Sequence, residues 1–442
     1  MCKFFISLVL LFFTYGQAFS KSDLVIGIAA QDITPSVQDQ IPLGGYGGEK
    51  RRVFPFSLLS QKPYIRGFRV AQGTLDPIRS KVMYIKNGDR KLLLVSLDLI
   101  GVTKDMHKDL VEKLKADGFS SSELIISGTH THSGPGALSP NTFWQAVAMD
   151  RFQRPFYNKF LAQVVETVHQ AMAHSEIAEL HTLSFDTVNL QNNRRGGDRP
   201  LYPRANLLLA KSISGAWMGG MVNFAVHGTW LGEDNLKFSS DVPGAIERSL
   251  SELLQEQNGY VRTLSNSDFI FINGAEGDVS PKLEYHELGI EFAKQAREQW
   301  DNIKPLIASE WTVKQQEIDL GSPRINLSKC LEKKWIPKKL NIGVQKFISS
   351  KTLISQIRFG NLWFLTWPGE PTTELGMMLM KMAKESGADD AWILGLTNDH
   401  LSYFVSEKEF EKGGYEACSN FFGASGGTKI IDAHKKLNKK IQ

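Results

Sequence analysis

Histidines stand where apolar stretches of this chain end, and imidazoles suit both zinc binding and proton transfer near neutral pH. His130 and His132 close the apolar run in "IISGTHTHSGPG" (residues 125–136), and His227 follows the apolar residues of "NFAVHGTW" (223–230). In extended backbone, residues i and i+2 project to the same side, so His130 and His132 are predicted to converge on one ion or one substrate group. The simpler alternatives are surface histidines, or at position 227 a core histidine bonded to a carbonyl. A buried strand, however, should not end in imidazoles that lack partners.

A carboxylate follows a third apolar stretch. Glu370 stands in "FLTWPGEPTT" (364–373), where its side chain must be exposed, paired or bound to metal. Two histidines, His130 and His227, together with Glu370 form a set that suits zinc and leaves one position open for water or substrate. The chain contains no H-E-x-x-H, and Ser-Gly rather than Asp-His follows His132, so the zincin and metallo-β-lactamase patterns are disfavoured.

A polar loop follows another apolar strand at "NGAEGDVSP" (273–281), and it contains Asp278 and Ser280. Its simpler interpretation is an ordinary turn whose side chains bond to their own backbone. The loop is also one of the strand ends at which α/β folds place their sites.

Five segments, taken together, resemble the neutral, or non-lysosomal, ceramidases. They occur in the family's order and are SGTHTHSGPG (127–136), NFAVHGT (223–229), GDVSP (277–281), PGEPTTELG (368–376) and SYFVSEKEFEKGGYEACS (402–419). The resemblance covers about residues 25 to 425 and is to the family's catalytic domain, without its C-terminal immunoglobulin-like domain. It implies hydrolysis of the ceramide amide bond, to sphingosine and a fatty acid, with one catalytic zinc ion per chain.

The resemblance also implies a role for individual residues. The zinc ligands would be His130, His227, Glu370 and Tyr403, and the catalytic serine would be Ser280. The polar groups around the reacting carbonyl would be His132, Arg194 and Tyr415, with Arg195 the alternative to Arg194. Direct attack by Ser280 and attack by zinc-bound water, with Ser280 positioning the substrate, both remain open.

The sequence therefore predicts a secreted zinc amidohydrolase that acts on ceramide or a related N-acyl lipid. Its partner would be a lipid amide, and peripheral contact with a membrane is compatible with that substrate. The alternatives are a zinc amidase with a different N-acyl substrate, a non-catalytic secreted binding protein on the same fold and, more distantly, a cofactor-free ester or phosphoester hydrolase.

The elements that must position these residues alternate between strand and helix. Residues 82–102 read as a hairpin around Asn87-Gly88, followed by a short helix and then a strand that ends at His130, an order that favours a βαβ crossover. Further helices are predicted over residues 157–174, 241–257 and 372–385, and residues from about 320 to 345 are predicted to be an irregular surface segment. The prediction is one large α/β domain with a mixed sheet and flanking helices, spanning residues 21–442.

The N-terminus and the composition place this domain in a cellular context. Residues 1–20 contain Lys3, an apolar run and small residues before position 21, which predicts a signal peptide and a secreted or periplasmic protein. The net charge of +4 in 442 residues is too small to favour a nucleic-acid partner. Cys330 and Cys418 remain after cleavage, and the sequence leaves open whether they form a disulfide.

Overall fold

Strands and helices alternate along the chain as the sequence predicts. The computed structural model describes residues 24–53, 67–259, 268–308, 310–330 and 341–439, so the predicted signal peptide lies outside the described residues. The strands are β1 Val25–Asp32, β2 Gly73–Thr74, β3 Arg79–Asn87, β4 Arg90–Leu97, β5 Leu124–Gly128, β6 Glu176–Asp186, β7 Gln191–Asn193, β8 Arg204–Ser212, β9 Trp217–Phe224, β10 Lys237–Phe238, β11 Phe269–Asn273, β12 Val279–Pro281, β13 Lys304–Leu306, β14 Trp311–Asp319, β15 Arg324–Asn326, β16 Asn341–Gly343, β17 Lys351–Phe359, β18 Leu362–Thr366, β19 Glu370–Pro371, β20 Asp390–Leu394 and β21 Tyr403–Phe404.

The helices lie mostly between these strands. They are α1 Lys104–Lys113, α2 Thr142–Trp144, α3 Arg154–Ala173, α4 Asp241–Asn258, α5 Tyr285–Glu298, α6 Leu327–Cys330, α7 Thr373–Glu385, α8 Glu407–Lys412, α9 Tyr415–Cys418 and α10 Gly426–Lys439. Short 3-10 turns cover Val37–Asp39, Ser121–Glu123 and Trp300–Asn302, and a π-helical turn covers Gln145–Met149. Within the described residues, no helix combines the length and the apolar character that crossing a bilayer requires.

Two mixed sheets form the centre of the fold. The larger has nine strands in the order β11-β9-β8-β6-β1-β3-β4-β5, with β13 added beside β6, and the smaller has four in the order β14-β17-β18-β20. The predicted hairpin is β3–β4, and β4, α1 and β5 form the predicted crossover with β4 and β5 parallel. The predicted mixed-sheet α/β fold is thus confirmed.

Each of the two sheets is apolar on both faces, so that the sheets pack against each other on one face and against helices on the other. Along β3, Val82 and Tyr84 face a core that α1 and α3 cover, whereas Met83 and Ile85 face the smaller sheet. Helices α4 and α5 cover the other half of the large sheet, and α7 and α10 cover the outer face of the small one. The result is four layers, helix–sheet–sheet–helix, in which apolar side chains alternate between two cores as the pleat requires.

Three parallel strand pairs direct their carboxyl ends to one region of the molecule. These are β4 with β5, β9 with β11, and β18 with β20, so both sheets contribute loops to the same place. The short parallel pair β19–β21 sets Glu370 beside Tyr403, and a bridge between Thr131 and Gly228 joins two of the histidine loops. The predicted site residues lie in or near these loops.

The segment predicted to be irregular, from about 320 to 345, contains short elements. Strands β15 and β16 pair with each other, α6 follows β15, and residues 331–340 lie outside the described part of the chain. Cys330 at the end of α6 forms a disulfide with Cys418 of α9. The bridge ties this segment to the short helix that begins at Tyr415.

Candidate active site

The backbone of His130 has a strained conformation, of a kind that occurs mostly at functional sites. Its φ is +69°, in the left-handed region that non-glycine residues rarely adopt, and its amide donates to the carbonyl of Leu99 at 2.9 Å. Strand β5 already ends at Gly128, so the expectation of extended backbone from His130 to His132 is wrong. The two rings nevertheless converge as predicted, because their Nε2 atoms are 3.4 Å apart.

Backbone carbonyls fix the orientation of both predicted histidine ligands. Nδ1 of His130 donates to the carbonyl of Ile100 at 2.7 Å, and Nδ1 of His227 donates to that of Val279 at 3.1 Å. A carbonyl only accepts, so Nδ1 carries the proton and the lone pair of a neutral ring is on Nε2. Burial, reinforced by the charge of Arg194, lowers the pKa of His227 to about 3, so this ring is neutral at physiological pH.

Glu370 directs one oxygen at the two Nε2 atoms. Its Oε2 lies 3.3 Å from Nε2 of His130 and 3.3 Å from Nε2 of His227, and the side chain is buried. Burial alone would raise the pKa of Glu370, but the neighbouring His130 and the contact of His400 with Oε1 hold that pKa well below its usual range. Tyr403, the neighbour of Glu370 in the β19–β21 pair, places its hydroxyl 3.2 Å from Nε2 of His227.

This arrangement fits a metal cation. Oε2 of Glu370 has no hydrogen-bond partner among the described residues, although it is buried beside a neutral imidazole whose lone pair faces it. Two acceptors at 3.3 Å repel each other unless positive charge lies between them. Nitrogen and oxygen donors of these types are the ones that zinc prefers. His130 and His227 thus both approach Glu370, and Tyr403 approaches His227, while the assignment of these four residues as metal ligands stays a prediction.

Arg194, rather than Arg195, reaches this cluster. Its Nη2 donates to the hydroxyl of Tyr403 at 3.1 Å and to the carbonyl of Gly277 at 2.9 Å, and its Nε donates to Glu416 at 2.9 Å. Arg195 turns away to Glu409, with Nη1 and Oε1 3.0 Å apart. The structure thus places Arg194 against the candidate ligand Tyr403, while Arg195 lies behind it.

Tyr415 and His132 face the same space. The ring of Tyr415 lies 5.4 Å from that of Tyr403, with the Arg194 guanidinium over both, and Tyr415 is 64% exposed. The ring of His132 lies 4.5 Å from that of Tyr46, and its buried Nδ1 has no partner among the described residues. Burial and the neighbouring His130 lower the pKa of His132 well below its usual value.

Two cavities that share part of their lining lie at this cluster. The smaller, about 300 Å³, has an apolar wall that includes Ile100, Phe143, Val147, Met149 and Phe421, and it also contacts His130 and Glu370. The larger, about 810 Å³, has a polar wall that includes Tyr46, Arg194, Arg199, Lys412 and Glu416. We call them the apolar chamber and the polar chamber. His132, Tyr403 and Tyr415 line both.

Ser280 lies beside the site rather than at the chambers. It is half-buried in β12, where it pairs with Asn192 of β7, and it lines neither chamber in the described part of the chain. Its neighbours brace the site, since the carbonyl of Val279 holds His227 and that of Asp278 accepts from the amide of Arg194 at 2.8 Å. The role of Ser280 stays a prediction.

Two buried side chains at the site were not identified from the sequence. His400 places Nε2 3.0 Å from Oε1 of Glu370 and stacks on Trp144, and it forms a cluster of metal-ligand type with His130 and Glu370. Glu276, whose carboxyl has no partner among the described residues, has its pKa raised well above the usual value by burial and by Glu370. The signal for Glu276 was present in "NGAEGDVSP", because the argument used for Glu370 applies to it equally. His400 follows the polar pair Asn398-Asp399, and no comparable pattern marks it.

Comparison with known proteins agrees with this geometry. The sequence profile of the family described as neutral/alkaline non-lysosomal ceramidase, N-terminal, matches residues 25–289. Because this match spans more than half of the chain, the chain belongs to that family. The predicted family is therefore confirmed.

Relatives are similar at low identity. Neutral ceramidase 1 of Arabidopsis thaliana is 24% identical over 279 residues, which is 59% of this chain and 33% of that protein. A neutral ceramidase of Mycobacterium tuberculosis is 22% identical over 429 residues, 76% of this chain and 67% of that protein. The crystal structure of the Pseudomonas aeruginosa neutral ceramidase superposes with a TM-score of 0.77 at 18% identity, covering 95% of this chain and 75% of that one. That likeness shows a shared fold.

Proposed function

We propose that this chain is a zinc-dependent amidohydrolase that cleaves the N-acyl bond of a lipid amide, ceramide or a related molecule. The observation that carries the proposal is the unpartnered Oε2 of Glu370, at 3.3 Å from Nε2 of both His130 and His227. The adjoining apolar chamber supports an acyl chain as the group bound next to these residues. Family membership supports the amide as the bond that is cleaved.

Zinc bound by His130, His227, Glu370 and Tyr403 would supply Lewis-acid chemistry and a lowered pKa for a coordinated water. The chain's own residues would do the rest. Arg194 lines the polar chamber and Tyr415 lines both chambers, and each can donate a hydrogen bond to an oxygen that gains negative charge. The His132 ring lies next to His130 and its Nδ1 has no partner among the described residues, so it can take up the proton released by the attacking group and pass it to the leaving nitrogen.

The proposal predicts chelator-sensitive release of fatty acid. Purified protein is incubated with a short-chain ceramide dispersed in detergent, and the free fatty acid is measured by mass spectrometry. We expect turnover that a chelator abolishes and that stoichiometric zinc restores, because the facing acceptors need the cation. A zinc-replete protein that hydrolyses no lipid amide would contradict the enzyme proposal, and absence of tight zinc binding as well would favour a binding protein on this fold.

Ser280 gives a separate prediction. We expect Ser280→Ala to lower kcat by more than about a hundredfold with the zinc content unchanged, because a lost nucleophile removes the covalent route. Attack by water, with Ser280 positioning the substrate, would instead raise KM and leave measurable kcat. The matched control is Ser214→Ala, at an exposed turn away from the site. Activity equal to the control would remove Ser280 from the mechanism.

We also propose that the protein is exported and that residues 1–20 are removed. The disulfide between Cys330 and Cys418 supports an oxidising compartment, since such bonds are rare in the cytosol. Mass spectrometry of protein from the native host should give an N-terminus near Lys21 and non-reducing peptides that contain both cysteines. Intact Met1 on cytoplasmic protein with free thiols would contradict export.

A further inference from the structure

The wall of the polar chamber lacks the side chains that an alkyl chain needs. Its lining consists of glycines, tyrosines, histidines, Thr229, Glu416 and the cations Arg194, Arg195, Arg199 and Lys412, with no aliphatic side chain among the described residues. Each buried methylene is worth about 0.8 kcal/mol, so this chamber offers little binding energy to a second long chain. The part of the substrate that enters here must be compact and polar.

Two of the cations are already neutralised. The guanidinium of Arg194 pairs with Glu416 at 2.9 Å, and that of Arg195 pairs with Glu409 at 3.0 Å and with Glu416 at 3.5 Å. Glu409 is further occupied, since it also accepts from the hydroxyl of Thr372 at 2.6 Å and from the amide of Ser406 at 2.9 Å. These contacts lock Arg194 and Arg195 in place.

Arg199 and Lys412 supply positive charge in excess of these pairs. The nearest carboxylate oxygen to Arg199 is Oε1 of Glu409, 3.9 Å away, and Arg195 already holds that oxygen. Lys412 ends α8 and forms no ion pair with another described residue. Glu416 is the one acidic side chain in the described lining, and it faces Arg194 and Arg195. The chamber therefore presents two cations that lack an anion of their own.

From this geometry we infer that the polar chamber binds an anionic group on the amine side of the substrate. The inference rests on the proposed amidohydrolase function and narrows its substrate to an acidic N-acyl lipid, with a carboxylate, sulfonate or phosphate next to the cleaved amide. The acyl chain occupies the apolar chamber, the amide lies between His132 and Tyr415, and the anion lies against Arg199 and Lys412. Ceramide, which is neutral, leaves those two cations without a partner.

The test compares substrates that share one acyl chain. N-dodecanoyltaurine, N-dodecanoylglycine and N-dodecanoylethanolamine phosphate represent the three anions, and N-dodecanoylethanolamine is the neutral reference. We expect kcat/KM for at least one anionic substrate to exceed the reference by about tenfold, which corresponds to about 1.4 kcal/mol. The anionic substrate with the highest kcat/KM identifies which of the three anions the polar chamber prefers. The preference should shrink as salt is raised, because the Debye length falls from about 10 Å at 0.1 M to about 3 Å at 1 M.

The double variant Arg199→Gln/Lys412→Gln should reduce the anionic-to-neutral ratio to near one. Its matched control is Arg90→Gln/Lys381→Gln, which removes two exposed charges outside the polar chamber and should keep the ratio. Equal hydrolysis of charged and neutral substrates by the wild type would overturn this inference alone. A ratio that survives in the double variant would also overturn it. No hydrolysis of any substrate would overturn the amidohydrolase proposal together with it.

Discussion

The His227→Ala variant is expected to lose bound zinc and to retain less than about one thousandth of the wild-type kcat. The Nε2 of His227 and Oε2 of Glu370 face each other at 3.3 Å, and removing the imidazole takes away one of the donors that would hold the ion. Loss of a residue that only hydrogen-bonds to a metal ligand costs about ten- to a hundredfold in metal affinity. Loss of a ligand itself should therefore cost more. Zinc per chain is measured by atomic emission after dialysis, beside turnover of a short-chain lipid amide.

A second histidine variant distinguishes two possible ligand sets. His400 also approaches Glu370, but its Nε2 lies 3.0 Å from Oε1, whereas His130 and His227 face the other oxygen, Oε2. His400→Ala should therefore keep stoichiometric zinc at saturating metal and weaken affinity by about ten- to a hundredfold. His169→Ala, at an exposed position of α3, is the control. Zinc loss in His400→Ala with retention in His227→Ala would replace His227 by His400 in the ligand set.

The Arg194→Gln variant is expected to lower kcat by about a hundred- to a thousandfold without loss of zinc. Arg194 donates to Tyr403 at 3.1 Å and lies over the ring of Tyr415, so its charge is directed at the junction of the two chambers. Removal of one donor to a developing oxyanion has this cost in other hydrolases. Steady-state kinetics and zinc content are measured on the same preparation.

The neighbouring Arg195→Gln variant separates chemistry from stability. Arg195 is buried against Glu409 and Glu416, and breaking a buried ion pair costs about 3 to 5 kcal/mol of unfolding free energy. We expect a clearly lower melting temperature for Arg195→Gln and a smaller fall in kcat than for Arg194→Gln. Arg194→Lys, which keeps the charge but loses the fork geometry, should recover part of the activity. A larger kinetic effect at Arg195 would exchange the two assignments.

The sequence by itself determined the local elements and the residue types of the site. Period-2 and period-3.6 apolar patterns describe a single element, and they sufficed for the β3–β4 hairpin, the β4–α1–β5 crossover and the principal helices. The same logic marked His130, His227 and Glu370, because a polar group at the end of an apolar strand requires a partner. The family resemblance then added Tyr403, Ser280, Arg194 and Tyr415.

Only the tertiary structure decided how these groups face one another. The tautomers of His130 and His227 depend on the carbonyls of Ile100 and Val279, which are 30 and 52 residues away in the chain, and no periodicity relates one loop to another at that separation. The left-handed backbone of His130 is likewise imposed by the chain around it, since the backbone N–H of His130 donates a hydrogen bond to the carbonyl of Leu99. His400 joins the site for the same reason. Contacts between loops depend on how the two sheets pack, and the apolar pattern of a single strand does not determine that packing.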